Sequence, residues 1–181
     1  MYRNSQMGSE NLSQTQQINS LPCLIPYSLS RAKTTMAVIP IKSDNVIRQR
    51  EAAWNSVKDD CDKIHEPESG TNMKFFLPTA DCGLAINCVR DEYPQQAASS
   101  PALYSEKPAK ISDYRQACFV YFPGDTIIET FTILVPLRVS GKIELEGITV
   151  DEDNYYHILS RAVLRLNAGS RLEAIAIAKI Q

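Results

Sequence analysis

The chain has 181 residues, with 19 lysines and arginines against 21 aspartates and glutamates, so its formal net charge is −2. Apolar residues make up 44% and charged residues 22%, which is typical of soluble globular domains and excludes collagen-like and fully disordered chains. Domains that bind nucleic acid through bulk charge are strongly basic, whereas this chain is slightly acidic. No apolar run approaches the roughly 18 residues of a transmembrane helix.

The first 33 residues differ in composition from the rest of the chain. Residues 4–20 are rich in Ser, Gln and Asn and have few large apolar side chains, so they cannot bury enough surface to offset the entropy cost of ordering. We predict that residues 1–33 form a disordered or loosely docked polar arm. Its one apolar segment, 21–27, has two prolines that exclude a regular helix. This segment is either a strap lying across the domain or a docking peptide for a partner.

We predict a single α+β domain over residues 34–181, beginning with a short strand over 34–41. Ser43 is placed to cap a helix that we expect over 44–65. The apolar stripe of this helix has helical spacing and consists of Val46, Ile47, Ala53, Trp54, Val57, Cys61 and Ile64. Trp54 is the expected central anchor of the stripe, with a place at an interface as the alternative.

The middle of the chain has weaker patterns. Residues 73–77 and 84–90 are predicted strands, joined by a turn over 78–83. Residues 91–113 contain three prolines and few apolar side chains, and we predict a loop that is longer than most connections in compact domains. This loop is either mobile and functional or holds a short helix over 102–106.

The last third has the clearest pattern. Apolar and polar residues alternate with period two from Thr126 to Val139, which predicts a half-buried strand with a bulge, bend or edge position at Pro136. Further predictions are strands over 115–122 and 142–150, turns at 123–125 and 140–141, and a bulge at Gly147.

The period changes to that of a helix over 151–166, where three acidic residues stand at the start and Gly169 follows the end. We predict a helix there, with a strand as the alternative because the segment is rich in aromatic and β-branched residues. The final segment, 172–180, is a strand that is apolar on both faces, so it is either central or covered by a partner. The fold class is therefore α+β: a mainly antiparallel sheet of about five to seven strands with two helices and a flexible N-terminal arm. A β-sandwich or barrel with one helix is the alternative.

Cysteines and histidines give no established motif. The cysteines are odd in number and widely spaced, which argues against a disulfide framework, and no secretory signal pattern precedes them. They are Cys23, Cys61, Cys82, Cys88 and Cys118. The two histidines are far apart, and glycine-rich phosphate motifs are missing. We therefore predict no metal and no cofactor, and a reducing compartment, the cytoplasm.

Cys82 is the best candidate for a reactive thiol, because it precedes Gly83 in the predicted turn. A thiolate nucleophile needs an activating base, and only His65 or His157 could supply one. A cysteine-dependent enzyme using Cys82 or Cys118 with a histidine is thus a weaker hypothesis. Cys61 and His65 would also be neighbours on one helix.

Three arginines near the C-terminus, Arg161, Arg165 and Arg171, could share one face around the helix predicted over 151–166. They form either a solvated helix face or a patch for anionic ligands, namely RNA or anionic lipid, to which we expect weak binding at most.

The lack of a catalytic motif favours a protein without enzymatic activity. We predict a self-associating structural or assembly protein, of the viral matrix or coat kind in its make-up, located in the cytoplasm or virion. No family motif supports that likeness. The candidate interface residues are Leu172, Ile175, Ile177 and Trp54. The alternative is a monomeric adaptor that recruits a protein partner through residues 21–27 or 91–113.

Overall fold

The computed structural model describes residues 37–68, 70–108 and 110–179. The predicted arm over 1–33, with its apolar segment 21–27, lies outside the described residues. No helix in the described ranges is both long enough and apolar enough to cross a membrane.

The described residues form three helices and ten strands. In chain order they are β1 (Val38–Ile41), α1 (Asp44–Cys61), β2 (Met73–Phe76), α2 (Ala80–Ser99), α3 (Pro101–Tyr104), β3 (Arg115–Tyr121), β4 (Gly124–Ile128), β5 (Thr132–Ser140), β6 (Ile143–Leu145), β7 (Ile148–Thr149), β8 (Tyr155–Ile158), β9 (Ala162–Leu166) and β10 (Arg171–Ala178).

These strands build two antiparallel sheets. The larger has six strands in the order β1-β8-β5-β10-β3-β2, and the smaller has four in the order β4-β9-β6-β7. One buried cluster joins α1 and α2 to the larger sheet, and a second joins that sheet to the smaller one. The molecule thus has three layers, with the larger sheet in the middle. The predicted α+β class is confirmed, and the second sheet was not anticipated.

β10 is the central strand of the larger sheet, paired with β5 on one side and β3 on the other. Its side chains alternate between the two clusters: Leu172 packs towards the smaller sheet, whereas Ile175 and Ile177 pack beneath the helices. All three are fully buried. The two-sided apolar pattern therefore reflects a position inside the subunit, and these three residues, predicted as an interface, are core residues with no surface to offer.

α1 begins where the sequence predicts. The Ser43 hydroxyl accepts a hydrogen bond from the Val46 backbone N–H at 3.2 Å, which is the N-cap interaction. The helix ends at Cys61 instead of residue 65. Trp54 is half-buried at the margin of the core, with the Arg138 guanidinium 5.1 Å from its ring centre, so it is not the central anchor. The smaller Ala53 and Val57 occupy the buried face.

The predictions for the middle of the chain need correction. The turn over 78–83, the strand over 84–90 and the first part of the loop over 91–113 are replaced by the single helix α2. Its buried residues, spaced three or four apart, are Cys82, Ala85, Ile86, Val89 and Tyr93. Thr79 caps the helix, and Pro94 lies within it. The short α3 confirms that a helix lies near the alternative placed at 102–106.

The helix predicted over 151–166 is wrong, and the strand alternative is right. β8 and β9 occupy this segment. All four residues of β8 are buried, because the helices cover one face and the smaller sheet covers the other. Two-sided burial removes the period of two, and the spacing of apolar residues then imitates a helix.

The strand predicted over 126–139 is two strands, β4 and β5, which belong to different sheets. The irregularity expected at Pro136 is confirmed, since the pairing of β5 with β10 shifts register there. The turn at 140–141 is also confirmed, with Gly141 at φ +80°. Gly147 is not in a bulge. It follows Glu146 in the two-residue turn between β6 and β7, where both residues have positive φ.

Ile175 tests whether β10 is a core strand. We expect Ile175→Ala to lower the free energy of unfolding by about 2–5 kcal/mol, because it opens a cavity in a fully buried site. Chemical denaturation at several protein concentrations measures this, and the loss should not depend on concentration. Ile127→Ala is the matched control: Ile127 is half exposed, so its loss should cost about 0.5 kcal/mol. Equal effects of the two substitutions would contradict the assignment.

Candidate functional site

The three C-terminal arginines do not form one surface. Arg165 lies on the outer face of the smaller sheet and holds Asp125 through two hydrogen bonds of 2.9 and 3.0 Å. Arg161 precedes β9 and lies 3.5 Å from the Glu129 carboxylate. Each is therefore exposed but already paired with an acidic side chain.

Arg171 has a structural role at the other side of the molecule. Its guanidinium donates to the backbone carbonyls of Cys61 at 2.6 Å and Ile64 at 2.8 Å, just where α1 ends. It also pairs with the buried Glu173 and lies 5.2 Å from the ring centre of Phe122. A cation here satisfies carbonyls at the helix C-terminus and is favoured by the helix dipole. Arg171 is thus not available to an anionic ligand.

The predicted thiol–histidine pairs are not formed. Cys82 is buried in the first turn of α2, with the Thr79 hydroxyl 3.5 Å from its sulfur, and is not in an exposed turn. His65 lies exposed beyond the end of α1. His157 instead contacts Tyr104, with 2.6 Å between the Nδ1 atom and the tyrosine oxygen. No described cysteine has a histidine base.

His157 is enclosed by aromatic rings. Those of Tyr93, Tyr104, Tyr155 and Phe131 have centres 5.4–6.3 Å from its own. Burial lowers the pKa of His157 to about 3, because the charged imidazolium would lose its hydration. His157 is consequently neutral near pH 7, and its place is in the core rather than at a reactive surface.

The two most exposed large apolar side chains among the described residues lie at one edge of the larger sheet. Phe75 in β2 is 70% exposed, and Leu77, just after β2, is 89% exposed. The Phe75 ring lies against Phe119 on β3, with ring centres 4.5 Å apart. Isolated exposed apolar residues are common on protein surfaces. Two of them at the end of a sheet are a stronger sign of an interaction surface.

Among the strands of the described residues, β2 is the last of the larger sheet and pairs only with β3. The Phe122 N–H donates to the Asn72 carbonyl at 2.8 Å, which fixes the alternation of backbone groups along β2. By that alternation, the N–H and C=O groups of Met73 and Phe75 point away from β3. Among the described residues, the free edge of β2 therefore combines outward-facing backbone donors and acceptors with an exposed aromatic ring. The Met73 carbonyl on this edge accepts from the Thr71 hydroxyl at 3.2 Å. We call Met73, Phe75 and Leu77 the β2 edge.

The opposite end of the sheet differs. β1 pairs with β8, and the Leu159 N–H donates to the Ala37 carbonyl at 2.7 Å. The same alternation turns the backbone of Pro40 outwards, and proline has no N–H to offer there. An edge proline is a usual protection against further strand pairing. The β2 edge has no proline between residues 73 and 77.

No protein-family model matches the chain, and no curated protein is significantly similar to it. Within the described ranges, no group of three or more His, Cys, Asp or Glu side chains is arranged to hold a metal ion. Among the described residues, the β2 edge is the best candidate site, because it joins outward-facing backbone groups to exposed apolar side chains. Sequence reasoning missed it because Phe75 and the buried Phe76 are adjacent and identical in type.

The burial of His157 has a consequence for stability at mild acid. Its folded pKa lies below its unfolded value of 6.5, so the unfolded chain binds more protons as the pH falls. Stability is complete above pH 6.5 and decreases below it. Between pH 7 and 5 we expect His157 to account for a loss of about 2 kcal/mol in the free energy of unfolding.

The other histidine is a matched control for this prediction. In His157→Phe, the free energy of unfolding measured with urea should depend less on pH over this range. In His65→Gln it should fall with pH as in the wild-type chain, since His65 is exposed. The same dependence on pH in all three proteins would show that His157 titrates normally when folded.

Proposed function

We propose that the protein is a self-associating structural protein whose basic unit is a two-fold symmetric dimer, formed by pairing β2 with β2 of a second copy. The single observation that carries this proposal is the β2 edge, with its outward-facing backbone groups and exposed Phe75 and Leu77. Pairing would join two six-stranded sheets into one. A sheet edge that pairs with another chain is a common way for proteins to associate.

A second copy fits this edge because an antiparallel strand pair is self-complementary. Under two-fold symmetry the residue on the axis pairs with its own copy, every other residue i pairs with a residue j whose copy pairs with i, and the contact closes without leaving a new free edge. In such a pair, the hydrogen bonds join residues whose backbone groups face outwards, here those of the β2 edge. Only registers that place these residues opposite one another are possible, and they are few. One is centred on Phe75, and another is centred on Lys74.

The side chains favour the register centred on Phe75. Phe75 then stands opposite its own copy, and Met73 stands opposite Leu77. The register centred on Lys74 would place two ammonium groups directly opposite each other, which is destabilising. Leu77 can extend the strand because Pro78 restricts it to extended conformations. The result is one apolar strip across the junction.

The size of this contact sets its strength. β2 has four residues, and stable interfaces bury about 1,600 Å². We therefore expect a dimer whose population depends on protein concentration. A closed two-fold contact gives a dimer and no larger assembly, so the viral matrix or coat role stays a prediction.

We propose that this role is not enzymatic, since no described cysteine has a histidine base. The free thiols of the described cysteines support a cytoplasmic location. We do not extend the proposal to RNA or anionic lipid, because all three candidate arginines are paired with carboxylates. The adaptor hypothesis depends in part on a long loop over 91–113. That segment is helical over much of its length, since it includes the end of α2 and all of α3.

A charge exchange at Phe75 tests both the contact and its register. Phe75→Glu and Phe75→Lys should each be monomeric, since like charges would face each other at the two-fold axis. An equimolar mixture should recover a dimer, because the introduced carboxylate then faces the introduced ammonium. Light scattering behind a sizing column measures the masses. Both variants should fold, as Phe75 is largely exposed.

Ile127→Glu is the control, since it places the same charge on a half-exposed apolar residue of the smaller sheet. It should dimerise like the wild-type chain. If Phe75→Glu and Phe75→Lys keep the wild-type mass, β2 is not the interface. If they are monomeric and their mixture is too, the edge is used in another register.

A further inference from the structure

We propose that α3 and the residues that follow it to Pro108 form a lid over His157, and that mild acid opens this lid. We call residues 101–108 the lid. The inference is independent of the dimer, because no residue of the lid belongs to the β2 edge. It goes beyond the loss of stability described above, since it places the first effect of acid at one segment of the chain.

The lid is attached to the rest of the fold at a few points. Tyr104 is the one residue of the lid that is buried, and Leu103 is partly buried beside it. The Tyr104 oxygen lies 2.6 Å from the Nδ1 atom of His157, and the Tyr93 hydroxyl donates to the Pro108 carbonyl at 2.7 Å. A surface segment with so little buried side chain is of the kind that opens without unfolding the whole domain.

One side of the lid already borders solvent. A cleft of about 310 Å³ lies between the lid and β1, with Leu103 and Tyr104 on one wall and Ile39 and Ile41 on the other. Tyr104 also packs edge-on against the imidazole of His157, so its side chain contacts both the cleft and the buried histidine. Outward movement of α3 would therefore extend the cleft to Nδ1 and admit water there.

The closed lid cannot accommodate a charged imidazolium. His157 is 0% exposed, and on protonation both of its ring nitrogens become hydrogen-bond donors. Nδ1 can then donate to the Tyr104 oxygen, whereas Nε2 is buried with no hydrogen-bond partner among the described residues. A buried charge that keeps a donor unpaired is strongly unfavourable.

The groups that face His157 do not offset this charge. They are aromatic or aliphatic and come from α2, α3, the residue before β5, β8 and the two paired strands, namely Tyr93, Tyr104, Phe131, Tyr155, Ile39 and Ile133. Burial raises the pKa of all three tyrosines, so they stay neutral in mild acid. The Glu92 carboxylate on α2 accepts from the hydroxyls of Ser43 and Tyr155 instead of from His157.

Opening reverses the balance, because water can then solvate the imidazolium. Under the closed lid, burial holds the pKa of His157 at about 3, below the 6.5 of an ordinary histidine. In mild acid the open form therefore binds a proton that the closed form does not. The closed form is favoured above pH 6.5, and opening increases as the pH falls below that value. The aromatic rings beneath the lid then become accessible.

Native-state hydrogen exchange on the full chain measures this opening. The reporters are the N–H groups of Leu103 and Tyr104, which donate to the Ser100 carbonyl, and that of Lys107, which donates to the Tyr104 carbonyl. Each exchange rate is divided by the intrinsic rate at the same pH to give an opening constant. From pH 7 to pH 5 this constant should increase by up to about 25-fold.

Dilute urea distinguishes opening of the lid from unfolding of the domain. It should leave the opening constants of the lid unchanged and raise those of the β10 amides, because local opening exposes little surface. If the lid amides respond to urea as the β10 amides do, the exchange occurs by global unfolding and the proposal fails.

Substitutions at the two contacting residues identify the trigger. In His157→Phe the opening constant of the lid should be the same at pH 7 and pH 5, because phenylalanine binds no proton. Tyr104→Phe keeps the buried ring but leaves Nδ1 without a partner, so it should raise the opening constant at pH 7 by about 10-fold and retain the increase in acid.

The matched control is His65→Gln, which removes an exposed histidine outside the lid and should behave as the wild-type chain does. Two results would overturn the proposal. One is an opening constant that does not change with pH in the wild-type chain, and the other is an increase in acid that persists undiminished in His157→Phe.

Discussion

Burial of β10 on both faces is the constraint on which the rest of the structure depends. A strand with apolar side chains on both sides needs a cover on each of them. The helices α1 and α2 supply one cover, and the smaller sheet supplies the other. β5 and β3 flank β10, so the larger sheet grows outwards from it and must end in two edges. Pro40 protects one edge, and β2 is left at the other.

The parts of the fold that could be predicted have a regular period in the sequence. α1 has a capping serine and one apolar stripe, and β5 includes a proline whose effect on the ladder follows from its missing N–H. The period fails where burial is two-sided, as in β8. The period of the apolar residues was also misleading in α2, because Leu84 is exposed while Cys82 and Ala85 are buried. The apolar run over 84–86 therefore resembled a strand.

The candidate sites were harder to predict than the fold, because they depend on contacts between distant residues. Arg171 donates to the Cys61 carbonyl at the end of α1, and the two residues are 110 positions apart in the sequence. No local sequence pattern predicts such a contact. The sequence suggests a histidine as the partner of Cys82, whereas in the fold the Thr79 hydroxyl lies 3.5 Å from its sulfur. Phe75 is exposed and its neighbour Phe76 is buried because β2 lies at the end of the sheet, which the local sequence does not reveal.

β2 has a buried side and a free edge. Phe76 is buried and stands opposite Cys118 on β3, whereas its neighbour Phe75 is largely exposed. The same short strand therefore contributes to the core and, among the described residues, forms the end of the larger sheet.

The central claim is that this chain associates with itself. The most direct test is the absolute mass of the wild-type protein in solution, by light scattering behind a sizing column, over a wide range of concentration and at low and high salt. The account predicts that the mass rises with concentration from 20.2 kDa towards twice that value and changes little with salt, because the contact is apolar and hydrogen-bonded. A mass of 20.2 kDa under all conditions would contradict it.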